Sequence, residues 1–206
     1  MNTTATLSSA VSVRNVPANH SVWRTSIRFT ALMTLVFGLA YPLALIGIAG
    51  ALFPHKAAGS LIERDGQVIG SELLAQGFAT DRYFHPRPSA AGNGYDATSS
   101  GGSNLALSNM KLVQRMQRDI DRLADENPGH PVPIDAVTTS GSGLDPEITP
   151  DNAYFQSPRV AKARSLNEQQ VDTLIRRHTH WRTFGILGEP RVNVLELNLA
   201  LDQAAK

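Results

Sequence analysis

Residues Phe29 to Phe53 read FTALMTLVFGLAYPLALIGIAGALF, twenty-five positions without a charged side chain. At about 1.5 Å per residue a helix of this length reaches about 37 Å, against a bilayer hydrocarbon core of about 30 Å. No other part of the chain approaches that run. A single segment in lipid satisfies its backbone only as a helix, so the stretch is expected to be one transmembrane helix within 24–53. Residues 1–23 form a polar tail ahead of it, and residues 54–206 a soluble domain behind it. A cleaved signal peptide is the competing reading, with Ala49-Gly50-Ala51 as its cleavage site, but its apolar region would be far shorter, about 7–15 residues.

Charge sets the expected orientation. Arg14, Arg24 and Arg28 precede the span with no acidic residue, whereas Lys56, Glu63, Arg64 and Asp65 follow it. Positive flanks stay cytoplasmic, so the tail is expected inside and the domain extracytoplasmic. The whole chain carries a net charge of +1. Without the three N-terminal arginines, 16 basic residues face 18 acidic ones, about −2 for the rest. That balance gives no reason to expect nucleic acid as a partner. Cysteine is absent, which excludes disulfides and thiol chemistry.

Within the span, Gly38, Ala40, Ala44, Gly47 and Ala51 are small, two pairs of them four residues apart. Such spacing lets a second helix approach closely, although glycine is also simply common in membrane helices. Pro42 is expected to kink the helix after Tyr41. Beyond Phe53, Asp65-Gly66 between two short β-like runs predicts a hairpin. Residues 70–105, dense in Gly, Ser, Pro and Asn, contain the aromatic cluster Tyr83-Phe84-His85 and read as a long loop and binding surface. A helix is expected from Ser108 as N-cap, with Met110, Val113, Met116, Ile120 and Leu123 on its apolar face. Residues 132–137 read as extended. Thr149-Pro150 opens a second helix, and Asn167-Glu168 a third with Val171, Leu174 and Ile175 facing inward. Residues 190–198 alternate and read as a strand. The fold class is therefore α/β (α+β): a soluble domain with a small sheet and several helices, tethered by one N-terminal transmembrane helix.

No phosphate loop, phosphorylatable aspartate motif, nucleophile elbow or zinc helix is present, and the histidines are scattered, so no catalytic residue and no metal site is assigned. One span cannot enclose an ion path. Two runs, Ser99–Asn104 and Ser140–Gly143, could turn backbone N–H groups toward an anion, or could be glycine turns joining core elements.

Against that background the chain resembles the C subunit family of the bacterial Kdp potassium-transporting ATPase. The resemblance rests on Gly38-Leu39-Ala40-Tyr41-Pro42, Gly59-Ser60-Leu61-Ile62, Gly70-Ser71-Glu72-Leu73 and Gln76-Gly77-Phe78. It continues through Tyr83 to Ser89, Tyr95-Asp96, Ser100 to Leu105, Val132-Pro133, Val137-Thr138 and Ser142 to Pro146. Arg159-Val160-Ala161 and Val192 to Leu201 complete it.

The resemblance implies a non-catalytic accessory subunit of an ATP-driven, high-affinity potassium uptake complex in the bacterial inner membrane. Its partners would be a channel-like potassium-binding subunit, a P-type ATPase catalytic subunit and a small helical subunit. The family is described as a catalytic chaperone that raises the ATP affinity of the hydrolysing subunit. No tightly bound cofactor is implied; ATP would be met through the complex. The positions proposed to touch nucleotide correspond to Ser140, Gly141, Ser142, Gly143 and Gln156. The charge argument competes with this role, because it puts that loop outside, away from cytoplasmic ATP. The alternative is a tethered extracytoplasmic module that caps the potassium entrance. The candidate partner contacts are Gly38, Tyr41 and Pro42 in the helix and Tyr83, Phe84 and Arg87 in the loop.

Overall fold

A computed structural model of the chain describes residues 20–204. The expected loose tail lies, apart from its last residues, outside them. The chain divides into two units between Ala57 and Ala58.

In the first unit, α1 (His20–Leu35) and α2 (Tyr41–Leu52) are joined by a wide π-turn over Val36–Ala40, and α3 (Pro54–Ala57) is a single further turn. Residues Val22–Leu52 form one helix long and apolar enough to cross a membrane. The helix therefore starts earlier than expected, by His20. Pro42 has no N–H to offer the Gly38 carbonyl, and its ring crowds that turn. The irregularity accordingly sits on the N-terminal side of Pro42, where the Tyr41 N–H reaches back to the Val36 carbonyl.

The second unit begins with the hairpin β1 (Leu61–Arg64) and β2 (Gln67–Ser71). Asp65 and Gly66 both hold positive φ, 54° and 76°, as a two-residue turn of this hand requires. After the long irregular stretch, α4 (Met110–Glu126) is capped by Asn109, one residue beyond the expected Ser108; the Asn109 side chain accepts from Lys111 N at 2.9 Å. Met116, Ile120 and Leu123 of its apolar face pack with Val137 and Phe155, but Met110 and Val113 remain exposed. Residues expected to be extended instead form α5 (Ile134–Val137), a single turn after Pro133, with the Thr138 hydroxyl bonded to the Ile134 carbonyl.

Strand β3 (Glu147–Ile148) leads into α6 (Pro150–Arg164), and α7 (Glu168–Arg177) follows with a full capping box at Asn167 and Gln170. Strands β4 (Thr179–His180) and β5 (Arg191–Asn193) complete a three-stranded antiparallel sheet in the order β3-β5-β4. The strand expected over 190–198 ends at Asn193. From there α8 (Val194–Ala204) takes over, its first turn held by the Asn193 side chain on Glu196 N at 3.1 Å. Val194, Leu197, Asn198 and Leu201 are buried, a helical spacing that outweighs the short alternation. The main core gathers Phe84, Ile148, Val160, Val171, Ile175, Val192, Leu197 and Leu201.

Candidate functional site

The stretch 70–105 contains no regular element beyond the end of β2, so its buried backbone must find partners elsewhere. Helices α6 and α8 supply them. Five successive carbonyls are taken by side chains: Asp81 and Tyr83 by Arg159 Nη1 (2.8 and 3.0 Å), Arg82 by Arg164 Nε (2.6 Å), Phe84 by Asn198 Nδ2 (3.0 Å) and His85 by Gln156 Nε2 (3.0 Å). The same two amides also accept the backbone N–H of Phe84 and of His85, each at 2.8 Å. Asn198 and Gln156 thus act as one-residue strand partners and clamp consecutive peptide units (84 and 85) to the helices.

The clamp fixes the fate of the expected contact residues. Phe84 is wholly buried (0% exposed) in the main core, so its ring is not a surface that a partner can reach. The aromatic cluster reads as a binding surface in sequence because the clamp that buries it comes from residues 71 and 114 positions away. Tyr83 lies under the Arg164 guanidinium, 4.7 Å from ring centroid to Cζ, and its hydroxyl donates to Asp202. Arg87 pairs with Asp145 at 3.0 Å and bonds Thr138, tying the stretch to the segment after α5. In the helix of the first unit, Gly38, Tyr41 and Pro42 lie in or directly after the π-turn; Tyr41 is exposed.

Gln156 uses its whole hydrogen-bonding capacity. Nε2 donates to the His85 carbonyl and to Asn152 Oδ1, while Oε1 accepts from His85 N and from Arg159 Nη2. Arg159 in turn binds Glu126 at 2.6 Å. Burial, and next the Arg159 charge, hold the His85 pKa below its usual 6.5. Burial raises that of Tyr95, whose hydroxyl donates to the Arg87 carbonyl.

The two Gly/Ser runs meet each other. Gly101 N and Ser100 Oγ both donate to the Ser142 carbonyl (2.8 and 2.9 Å), and Ser89 Oγ donates to the Gly143 carbonyl (2.6 Å). Within the loop, Ser140 Oγ and Ser142 Oγ accept from Gly143 N and Leu144 N. Gly143 holds φ 68°, and a Cβ there would fall within 2.7 Å of Gly101 O and Ala91 N, so the interlock requires glycine. Gln156 lies on the clamp and the Ser140–Gly143 loop on this interlock; no hydrogen bond joins them. The start of α6, a helix N-terminus whose N–H groups and dipole favour negative charge, already carries a carboxylate. Asp135 accepts from Thr149 N and Thr149 Oγ1, and Thr149 Oγ1 caps Asn152 N.

Residues to which sequence reasoning gave no site role, Arg159, Arg164, Asn198 and Asp135, carry this architecture. A signal for Asn198 exists: it is an amide on an apolar helical stripe, between Val194 and Leu201. Among the described residues, no group of three His, Asp or Glu side chains is arranged to hold a metal.

Fold and site together define an α+β domain, following in the chain a helix able to cross a membrane, whose polar centre holds its own backbone in place. The family model described as K+-transporting ATPase, c chain (KdpC) matches residues 23–203. Curated relatives named potassium-transporting ATPase KdpC subunit include one from Methylobacterium nodulans, 53% identical over 88% of this chain and 96% of its own length. Others come from Koribacter versatilis, 53% identical over 86% and 92%, and from Acidobacterium capsulatum, 56% identical over 87% and 97%. The chain belongs to the KdpC family: it is an accessory, non-catalytic subunit of the potassium-transporting ATPase complex, with one helix able to cross the membrane.

Proposed function

We propose that this subunit acts from the extracytoplasmic face, its domain capping the potassium entrance of a channel-like potassium-binding subunit and stabilising that subunit's assembly with the P-type catalytic subunit and a small helical one. The helix would dock through its Gly38–Pro42 region, with its N-terminus in the cytoplasm of a bacterial inner membrane. The observation that carries this reading is the internal use of the Gln156 amide and of the carbonyls and hydroxyls of the Ser140–Gly143 loop. Gln156 is saturated and the Ser140–Gly143 loop is engaged with Gly101 and Ser89. A catalytic-chaperone effect on ATP affinity would then reach the hydrolysing subunit through the membrane part, without nucleotide contact.

Surface contacts for such a cap are better sought at Leu73 and Leu74, which are exposed just after β2, than at buried Phe84. Leu73→Asp with Leu74→Asp is expected to leave the domain folded and to lower recovery of the complex or its apparent potassium affinity. Wild-type assembly together with wild-type uptake at low potassium would overturn the capping surface.

A further inference from the structure

Between β4 and β5 the chain makes a hairpin tip whose apolar residues point away from the core. Trp181 is 70% exposed, Phe184 88%, Ile186 77% and Leu187 56%. The tip is ordered by its own backbone: Thr183 N donates to Leu187 O (2.8 Å) and Leu187 N to Thr183 O (3.0 Å). Arg182 and Glu189 close its base with an ion pair. Phe184 sits at φ 56°, a region that favours glycine, so the fold tolerates a strained backbone in order to hold an aromatic ring in the open.

Four large apolar side chains within seven residues are no ordinary scatter of surface hydrophobics. Their surroundings identify what covers them. Residues 176–191 carry four arginines against one glutamate; Arg182 pairs with Glu189 and Arg191 with Glu147, which leaves Arg176 and Arg177 in the last turn of α7 as the charges available to an anionic surface. Phe, Ile and Leu at a tip, Trp beside them and arginines behind is the composition of a segment that enters the headgroup layer of an anionic bilayer.

We propose that the 181–187 tip is a second membrane contact, inserted at the headgroup level of an anionic lipid surface. Trp181 lies at the interface, and Phe184, Ile186 and Leu187 reach the upper acyl chains. A tip so inserted gives the domain a membrane contact of its own. The proposal requires only the membrane anchor and holds on either face of the membrane.

The test uses the full chain with Trp23→Phe, which leaves Trp181 as the only tryptophan. The protein is reconstituted into vesicles of phosphatidylcholine and phosphatidylglycerol, with acyl chains brominated near the headgroup. Trp181 emission is expected to be blue-shifted and about half quenched, as for a ring at the interface. Phe184→Ser with Ile186→Ser, both at exposed positions, should restore solvent-like, unquenched emission with an unchanged circular dichroism spectrum. Unquenched emission from the parent, or quenching that survives the double substitution, overturns the proposal. Blue-shifted emission in the assembled complex without quenching by brominated lipid also overturns it, and assigns the tip to a protein pocket.

Discussion

Replacing Gln156 by alanine separates a structural amide from a ligand-binding one. The substitution removes four hydrogen bonds, two of them to the His85 peptide and one to the charged Arg159 guanidinium. A buried polar group left without its partner costs about 1–3 kcal/mol. His85 is only half-buried, so water can reach part of the site, and the low end applies to each of its two groups. The net loss is about 2–4 kcal/mol, a large share of the roughly 5–15 kcal/mol that holds a domain together. For a domain of about 150 residues each kcal/mol moves the midpoint by about 2–4 °C, so Tm should fall by roughly 5–15 °C. The assay is thermal unfolding of the purified full chain in detergent, followed by near-ultraviolet circular dichroism. Gln156→Glu should also lose stability, because a carboxylate oxygen would then face the His85 carbonyl. A Tm within about 1 °C of wild type for Gln156→Ala would refute the clamp. If the complex's dependence on ATP changed at the same time, the amide would be a nucleotide ligand.

Other expectations follow from the helix and from His85. A Cβ at Gly47 would meet nothing within 4 Å of this chain, so Gly47→Leu should leave insertion and helicity untouched while lowering recovery of the complex on the order of tenfold. An unchanged yield would mean that no partner helix packs at that position. The His85 pKa is lowered in the folded state, so the unfolded chain takes up the proton first as pH falls. Its contribution to stability is complete above the unfolded value of 6.5 and is lost as pH drops below it toward the folded pKa. His85→Gln should therefore flatten the decline of Tm between neutral and mildly acidic pH; an identical decline would assign the effect to other groups.

The features legible in the sequence were those with local causes. The apolar run needs only its length, the Asp65-Gly66 turn only its two left-handed residues, and the caps at Thr149 and Asn167 only a side-chain oxygen near free N–H groups. Where two local patterns overlap, tertiary packing decided. Val192 and Val194 alternate like a strand, yet Val194, Leu197, Asn198 and Leu201 also lie on one helical face, and the buried face prevailed. The clamp on residues 81–85 was illegible for a different reason. Its donors lie on α6 and α8, and nothing near Tyr83-Phe84-His85 announces that their backbone will be satisfied from so far away. An aromatic triplet in a Gly- and Pro-rich stretch therefore looked like a surface, whereas its middle residue belongs to the core.

The side of the membrane on which the domain lies is the point on which the functional account turns. Gly141 is exposed, has no atom within 4 Å of an added Cβ, and stands in a chain without cysteine, so Gly141→Cys introduces one accessible thiol at little structural cost. Spheroplasts carrying the complex are treated with a membrane-impermeant maleimide before and after permeabilisation. Full labelling of intact spheroplasts is the result expected of an extracytoplasmic domain. Labelling only after permeabilisation would contradict it and return the Ser140–Gly143 loop to the compartment that holds ATP.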